Sequence, residues 1–189
     1  MSYYEIVLFL HLVAAAVWVG AAVMLHALFV RARSSDDGVL IERLTENSDW
    51  LVSRVFVPTS LAALVLGILL TIEGPWGFDQ LWIVLGLTGF AAIFVLGLGV
   101  IEREGKRLEN ALDDHGYGHP LVAHHIRRID AYSKLDLVLL LVVVFDMALK
   151  PTADDVGTLV LGAVALLVAA AYVLRESRQP APEGVPQAT

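Results

Sequence analysis

His11, Trp18 and His26 sit inside one apolar run, Leu10 to Val30, that closes abruptly at Arg31 and Arg33. An imidazole in such surroundings either ligates a metal through a ring nitrogen or hydrogen-bonds to a neighbouring helix. At about 100° per residue, His11, Trp18 and Ala22 share a narrow wedge of a helix, with Ala15 and His26 at its edges. An unpartnered polar side chain is costly in hydrocarbon, so this wedge is expected to face protein and not lipid. His11 and His26 lie about 22 Å apart along such a helix, too far to hold the same metal ion. Two ligating histidines would therefore serve two sites in opposite leaflets.

A second polar pair, Asp146 and Lys150, ends a later apolar run. Ligating histidines commonly give their other N–H to a carboxylate or carbonyl, which fixes the tautomer. His11 falls about 10 Å, and Asp146 about 6 Å, below the same membrane boundary, which makes Asp146 a candidate acceptor. The competing reading is an i, i+4 ion pair between Asp146 and Lys150. His115, His119, His124 and His125 form a further group, but Gly116, Gly118 and Pro120 break any helix that would align the first two. A solvated loop is the expected outcome there, against a divalent-cation site.

The elements that must position these residues are membrane spans. Of 189 residues, 57% are apolar and 17% charged, and the mean hydropathy is +0.70. Four or five stretches are apolar around the whole helix, where a soluble bundle would show stripes. The chain has no cysteine. That excludes disulfides, thiolate metal sites, iron–sulfur clusters and a cysteine nucleophile, and leaves histidine, carboxylate and methionine as protein ligands. No basic patch argues for nucleic acid. The start, Met-Ser-Tyr-Tyr-Glu, lacks a positive n-region, so the first run is expected to remain as a span.

The fold class expected is all-α: a multi-pass bundle of five spans at about residues 4–30, 51–72, 81–101, 132–150 and 156–174. Residues 1–175 form one domain and 176–189 a disordered tail. Asp36 or Asp37 can cap a short interfacial helix after the first span. Pro58, followed by Thr59 and Ser60, kinks the second span, and the hydroxyls re-satisfy the backbone. Gly86, Gly89 and Gly97 form a stripe in the third, suited to close helix packing or to clearance for a flat ligand. A charged helix runs from Glu102 to Asp114, and a short one from Leu121 to Ala131 precedes the fourth span. Asp136 lies near the start of that span. Twelve of the thirteen Lys and Arg fall on one side of this topology, with Lys150 alone opposite. The positive-inside rule then puts the N-terminus outside and the C-terminus in the cytoplasm.

The segment His11-Leu12-Val13-Ala14-Ala15-Ala16-Val17-Trp18-Val19-Gly20 resembles the opening helix of a group of small bacterial membrane proteins. The group comprises the copper-resistance protein D domain, the small membrane protoporphyrinogen oxidase, and an uncharacterised integral-membrane family with a domain of unknown function. Similarity is best with the last. Pro58 with Gly67, and Met147-Ala148-Leu149-Lys150-Pro151, agree with it. In the oxidase group the first-helix histidine is implicated in haem b, which implies His11 as metal ligand here. Trp18, His26, Asp146 and Lys150 complete the cofactor-binding candidates, with Lys150 placed to pair a propionate. The oxidase pattern's lysine in the third span is absent: that span opens Trp82-Ile83-Val84-Leu85-Gly86. The resemblance implies a bacterial inner-membrane protein that binds haem b in redox or porphyrin handling. If it is an enzyme, it is an oxidoreductase of the protoporphyrinogen oxidase type, though no catalytic residue is assigned. The alternative is a non-enzymatic scaffold or accessory subunit, held in the lipid bilayer with a partner subunit or as a homo-oligomer.

Overall fold

The computed structural model describes residues 2–177, all of whose regular elements are helices. Residues 178–189, most of the segment read as a disordered tail, lie outside the described residues. The helices are α1 (Tyr3–Ser34) and α2 (Gly38–Glu46), α3 (Ser48–Glu73) and α4 (Leu81–His115), α5 (Pro120–Leu149) and α6 (Val156–Ser177). Four of them, α1, α3, α4 and α6, are long and apolar enough to cross a membrane. The apolar half of α5 carries Lys134, Asp136 and Asp146.

Burial follows the pattern of a protein dissolved in lipid. Large apolar side chains such as Phe9, Met24, Val95 and Leu167 face outward, while Ser60, Thr71, Glu104, Asp130 and Asp146 are buried. α1 begins with a capping box in which Ser2 and Glu5 satisfy each other's backbone N–H groups. It packs along α3, and α5 packs against α4 and α6. Midway along the bundle, Trp18, Ala63, Ile93 and Leu140 form a tight cluster.

At the charged end a second cluster, including Ala32, Ile41, Leu108, Val122 and Ile126, resembles the core of a small soluble domain. α2 supplies Ile41 to it, capped by the Asp37 side chain, which accepts from the Leu40 N–H at 3.0 Å. The expected interfacial helix is therefore packed across the end of the bundle. Gly116 ends α4 at φ +73°, a left-handed turn that glycine adopts without a Cβ penalty.

Two expectations are corrected. The segments 121–131 and 132–150 are one continuous helix, because the charges at their junction have partners inside the fold. Asp130 is 1% exposed and is paired with Arg33 of α1 and with Lys134 at 2.7 Å. The glycine stripe also divides in two. A Cβ on Gly86 or Gly89 would strike Met147 or Val143 of α5, so these two serve close packing, whereas one on Gly97 would meet nothing within 4 Å.

Both α3 and α4 contain a π-helical stretch, Val52–Phe56 and Val95–Ile101. The first lies directly before Pro58, which has no N–H to give to the carbonyl four residues back. Widening the helix there accommodates the missing bond. The Thr59 hydroxyl donates to the Val55 carbonyl at 2.6 Å and Ser60 to Val57 at 3.1 Å, as expected of hydroxyls beside a proline break.

Candidate functional site

His11 is half-buried and faces α3. Its Nδ1–H donates to the Ala63 carbonyl at 2.9 Å, and its ring lies over Gly67, where a Cβ would come within 3.2 Å of it. That donation leaves Nε2 as the nitrogen with the free lone pair. The acceptor is thus a backbone carbonyl and not Asp146. Both Asp146 carboxylate oxygens are buried without any hydrogen-bond partner, so the expected ion pair with Lys150 is absent too. Lys150 closes α5 in the left-handed conformation, φ 49°. Its ammonium lies 4.2 Å from the Trp76 ring centre and 5.2 Å from that of Trp82. The ammonium is thus held by cation–π contact with two indoles and lies away from the carboxylate one turn back on the helix.

Trp18 is 8% exposed and meets Phe90 edge-on, with ring centres 5.6 Å apart. It also forms part of the wall of a cavity of about 230 Å³ between α1, α3, α4 and α5. Ala22, His26 and Phe29 continue the α1 wall, and Ser133, Asp136 and Leu137 supply that of α5. The two π-helical stretches border the same space through Val52 and Phe56 on one side and Gly97, Leu98 and Ile101 on the other. π-turns recur at functional sites because the surplus residue re-aims side chains and opens the helix surface.

Two polar atoms on this wall, His26 Nδ1 and Asp136 Oδ1, are buried and make no hydrogen bond. Toward the charged end the lining becomes polar, with the half-buried Glu102 and the exposed Asp49, Lys106 and Glu109. Lys106 donates to Glu102 at 2.8 Å. The structure therefore brings together Trp18 and His26 of the expected site, but His11, Asp146 and Lys150 do not line this cavity. Sequence reasoning noted Asp136 without assigning it to the site. The available signal was a lone carboxylate among Leu135, Leu137, Val138 and Leu139.

Just outside the cavity, Glu104 is 2% exposed and is held by Arg107, by His125 Nδ1–H at 3.1 Å and by Arg128 at 3.2 Å. Burial alone would raise its carboxyl pKa, but these donors and charges outweigh it and hold the group below the ordinary carboxylate value. Burial, reinforced by neighbouring cations, lowers His124 below the ordinary histidine value. The His115 and His119 rings stack with centres 4.3 Å apart, and His119 Nδ1 accepts from the Leu121 N–H at the start of α5. Among the described residues no three His, Asp or Glu are grouped to hold a metal ion.

A family model described as a predicted integral membrane protein matches residues 5–151. No curated protein and no solved structure matches the chain.

Proposed function

The chain belongs to the DUF2269 family of predicted integral membrane proteins, and we propose that it acts as a membrane-embedded binding protein for a small, mostly apolar ligand. The observation that carries this reading is the cavity beside Trp18, whose wall includes His26 and Asp136, two side chains that each hold a buried polar atom with no hydrogen-bond partner. Buried polar atoms are ordinarily paired, and ligand sites combine apolar walls with a few convergent polar groups. In this reading α5 is a fifth span. Its charges are tolerated because they face protein, and the basic end of the bundle lies in the cytoplasm of a bacterial cell.

Leucine at position 97 tests the site, since a side chain there meets open space. Wild-type protein in nanodiscs is expected to show a saturable rise in the emission of 1-aminoanthracene, a flat neutral probe. Gly97→Leu is expected to abolish the saturable part while melting at the wild-type temperature. Equal saturable emission from both proteins would remove the cavity as the binding site.

A second reading, haem b held by His11, rests on the free Nε2 that the Ala63 hydrogen bond leaves. His11 fits a single axial ligand, but its expected companions are engaged or placed elsewhere: Lys150 lies over two indoles and Asp146 makes no bond to the imidazole. Kinship with the oxidase and copper-resistance groups belongs to this reading. Its mark is a Soret band after haem-supplemented expression that disappears in His11→Ala. A spectrum free of any Soret band rejects it. A scaffold or accessory subunit is the remaining alternative if neither ligand binds.

A further inference from the structure

We propose that the cavity selects a lipophilic cation: an amine or quaternary ammonium group carried on a compact apolar body. This deepens the binding reading and depends on it.

The charges lining the cavity are unequal. Asp136 sits in its wall and Asp49 and Glu109 at its exposed margin, against one lining lysine, Lys106, which with its partner Glu102 forms a neutral pair, and one imidazole, His26. Lys106 is already committed to Glu102. The other cations near the α1–α5 contact are committed as well: Lys134 donates to Asp130 and to the Tyr172 hydroxyl at 3.3 Å, and Arg33 pairs with Asp130. An anionic ligand would meet carboxylates with no uncommitted lysine or arginine among the described lining residues.

The walls suit a cation in a second way. Trp18, Phe29, Phe56 and Phe94 come from three different helices and present aromatic rings to one space. Aromatic faces attract a cation electrostatically, most strongly where water is excluded, and several rings around one centre are the usual means of holding quaternary ammonium groups. Leu25, Ile93 and Leu137 line the remainder and would receive the apolar body. A bound cation would also give the Asp136 carboxylate, which lines the cavity and has no hydrogen-bond or ion-pair partner in the protein, a counter-charge. Lipophilic cations partition into the bilayer interface, so entry past the acidic margin needs no separate aqueous channel.

The test uses full-length protein in zwitterionic nanodiscs, so that lipid charge does not concentrate cations at the surface. Three aromatic probes are titrated: phenyltrimethylammonium, its neutral isostere tert-butylbenzene, and benzenesulfonate. The cation is expected to bind about tenfold or more tightly than the neutral isostere, with benzenesulfonate weakest. Asp136→Asn should bring the cation-to-neutral affinity ratio close to one, and Asp136→Glu should retain the preference. Thermal melts of both variants establish that each is folded. Similar affinities for cation and isostere, both lost in Gly97→Leu, would overturn charge selection and leave the binding reading standing. Preference for benzenesulfonate would also overturn it, and binding of none of the three would overturn both.

Discussion

Glu104→Gln is expected to destabilise the protein by about 3 kcal/mol at neutral pH and to flatten its loss of stability in acid. The carboxylate is 2% exposed and receives Arg107 from its own helix and His125 and Arg128 from α5. It is the centre of the contact between the charged ends of the two helices. Glutamine keeps the shape but withdraws the charge that gathers three donors, leaving them to find water. Because the folded protein holds the Glu104 pKa below its ordinary value, the stability this group supplies is complete above the ordinary carboxylate range. It is lost as pH falls through the depressed value. Urea melts of detergent-solubilised protein between about pH 3 and pH 7 should show a falling acid limb in wild type and a shallower one in the variant. Identical limbs would mean that Glu104 does not bind this interface through its charge.

The second large effect is expected at Trp18. Alanine there removes the indole from the cluster of Ala63, Ile93 and Leu140 and from its edge contact with Phe90. Truncating a buried tryptophan costs about 3–5 kcal/mol in soluble cores. In a bilayer the lower end, near 3 kcal/mol, is expected, because lipid solvates an exposed indole as well as the core does and only the packing is lost. The same change removes a wall of the cavity, so binding of the aromatic probes should weaken together with stability. Trp18→Phe should recover most of the stability. Chemical denaturation of the three proteins, with parallel titrations, separates these effects. A Trp18→Ala protein as stable as wild type would place the indole outside the packed centre.

The helical class and the presence of four long apolar helices were legible because length and uniform hydropathy leave few other structures in lipid. Pro58 was legible for a similar reason, since a missing N–H must be accommodated locally. The inward face of α1 could also be read, as His26 and Trp18 line one cavity and His11 turns to α3. Its partners could not. The acceptor for His11 is the Ala63 carbonyl, a group that every residue carries and that leaves no signature in a sequence. Asp146 and Lys150 stand at i, i+4, and that spacing hid the competition from Trp76 and Trp82, which is visible only once the loop brings them over the end of α5. A break was expected near residue 131, between the short helix and the fourth span. Its absence reflects long-range pairing with Arg33, some hundred residues away in the chain, which no local pattern encodes.

The two π-helical stretches have a consequence for how the molecule is indexed. Each carries a surplus residue, so everything beyond Phe56 in α3, and beyond Ile101 in α4, is rotated by about 100° from where an unbroken helix would put it. The phase of the apolar part of the wall, at Ile93 and Phe94, is therefore set independently of the charged half of the rod, which carries Glu104 together with the cavity's polar margin at Lys106 and Glu109. Loss of a single residue between Val95 and Ile101 would leave the bilayer portion in place and swing Glu104 away from His125. Insertions and deletions in this short segment should thus be as consequential as substitutions of the residues it orients.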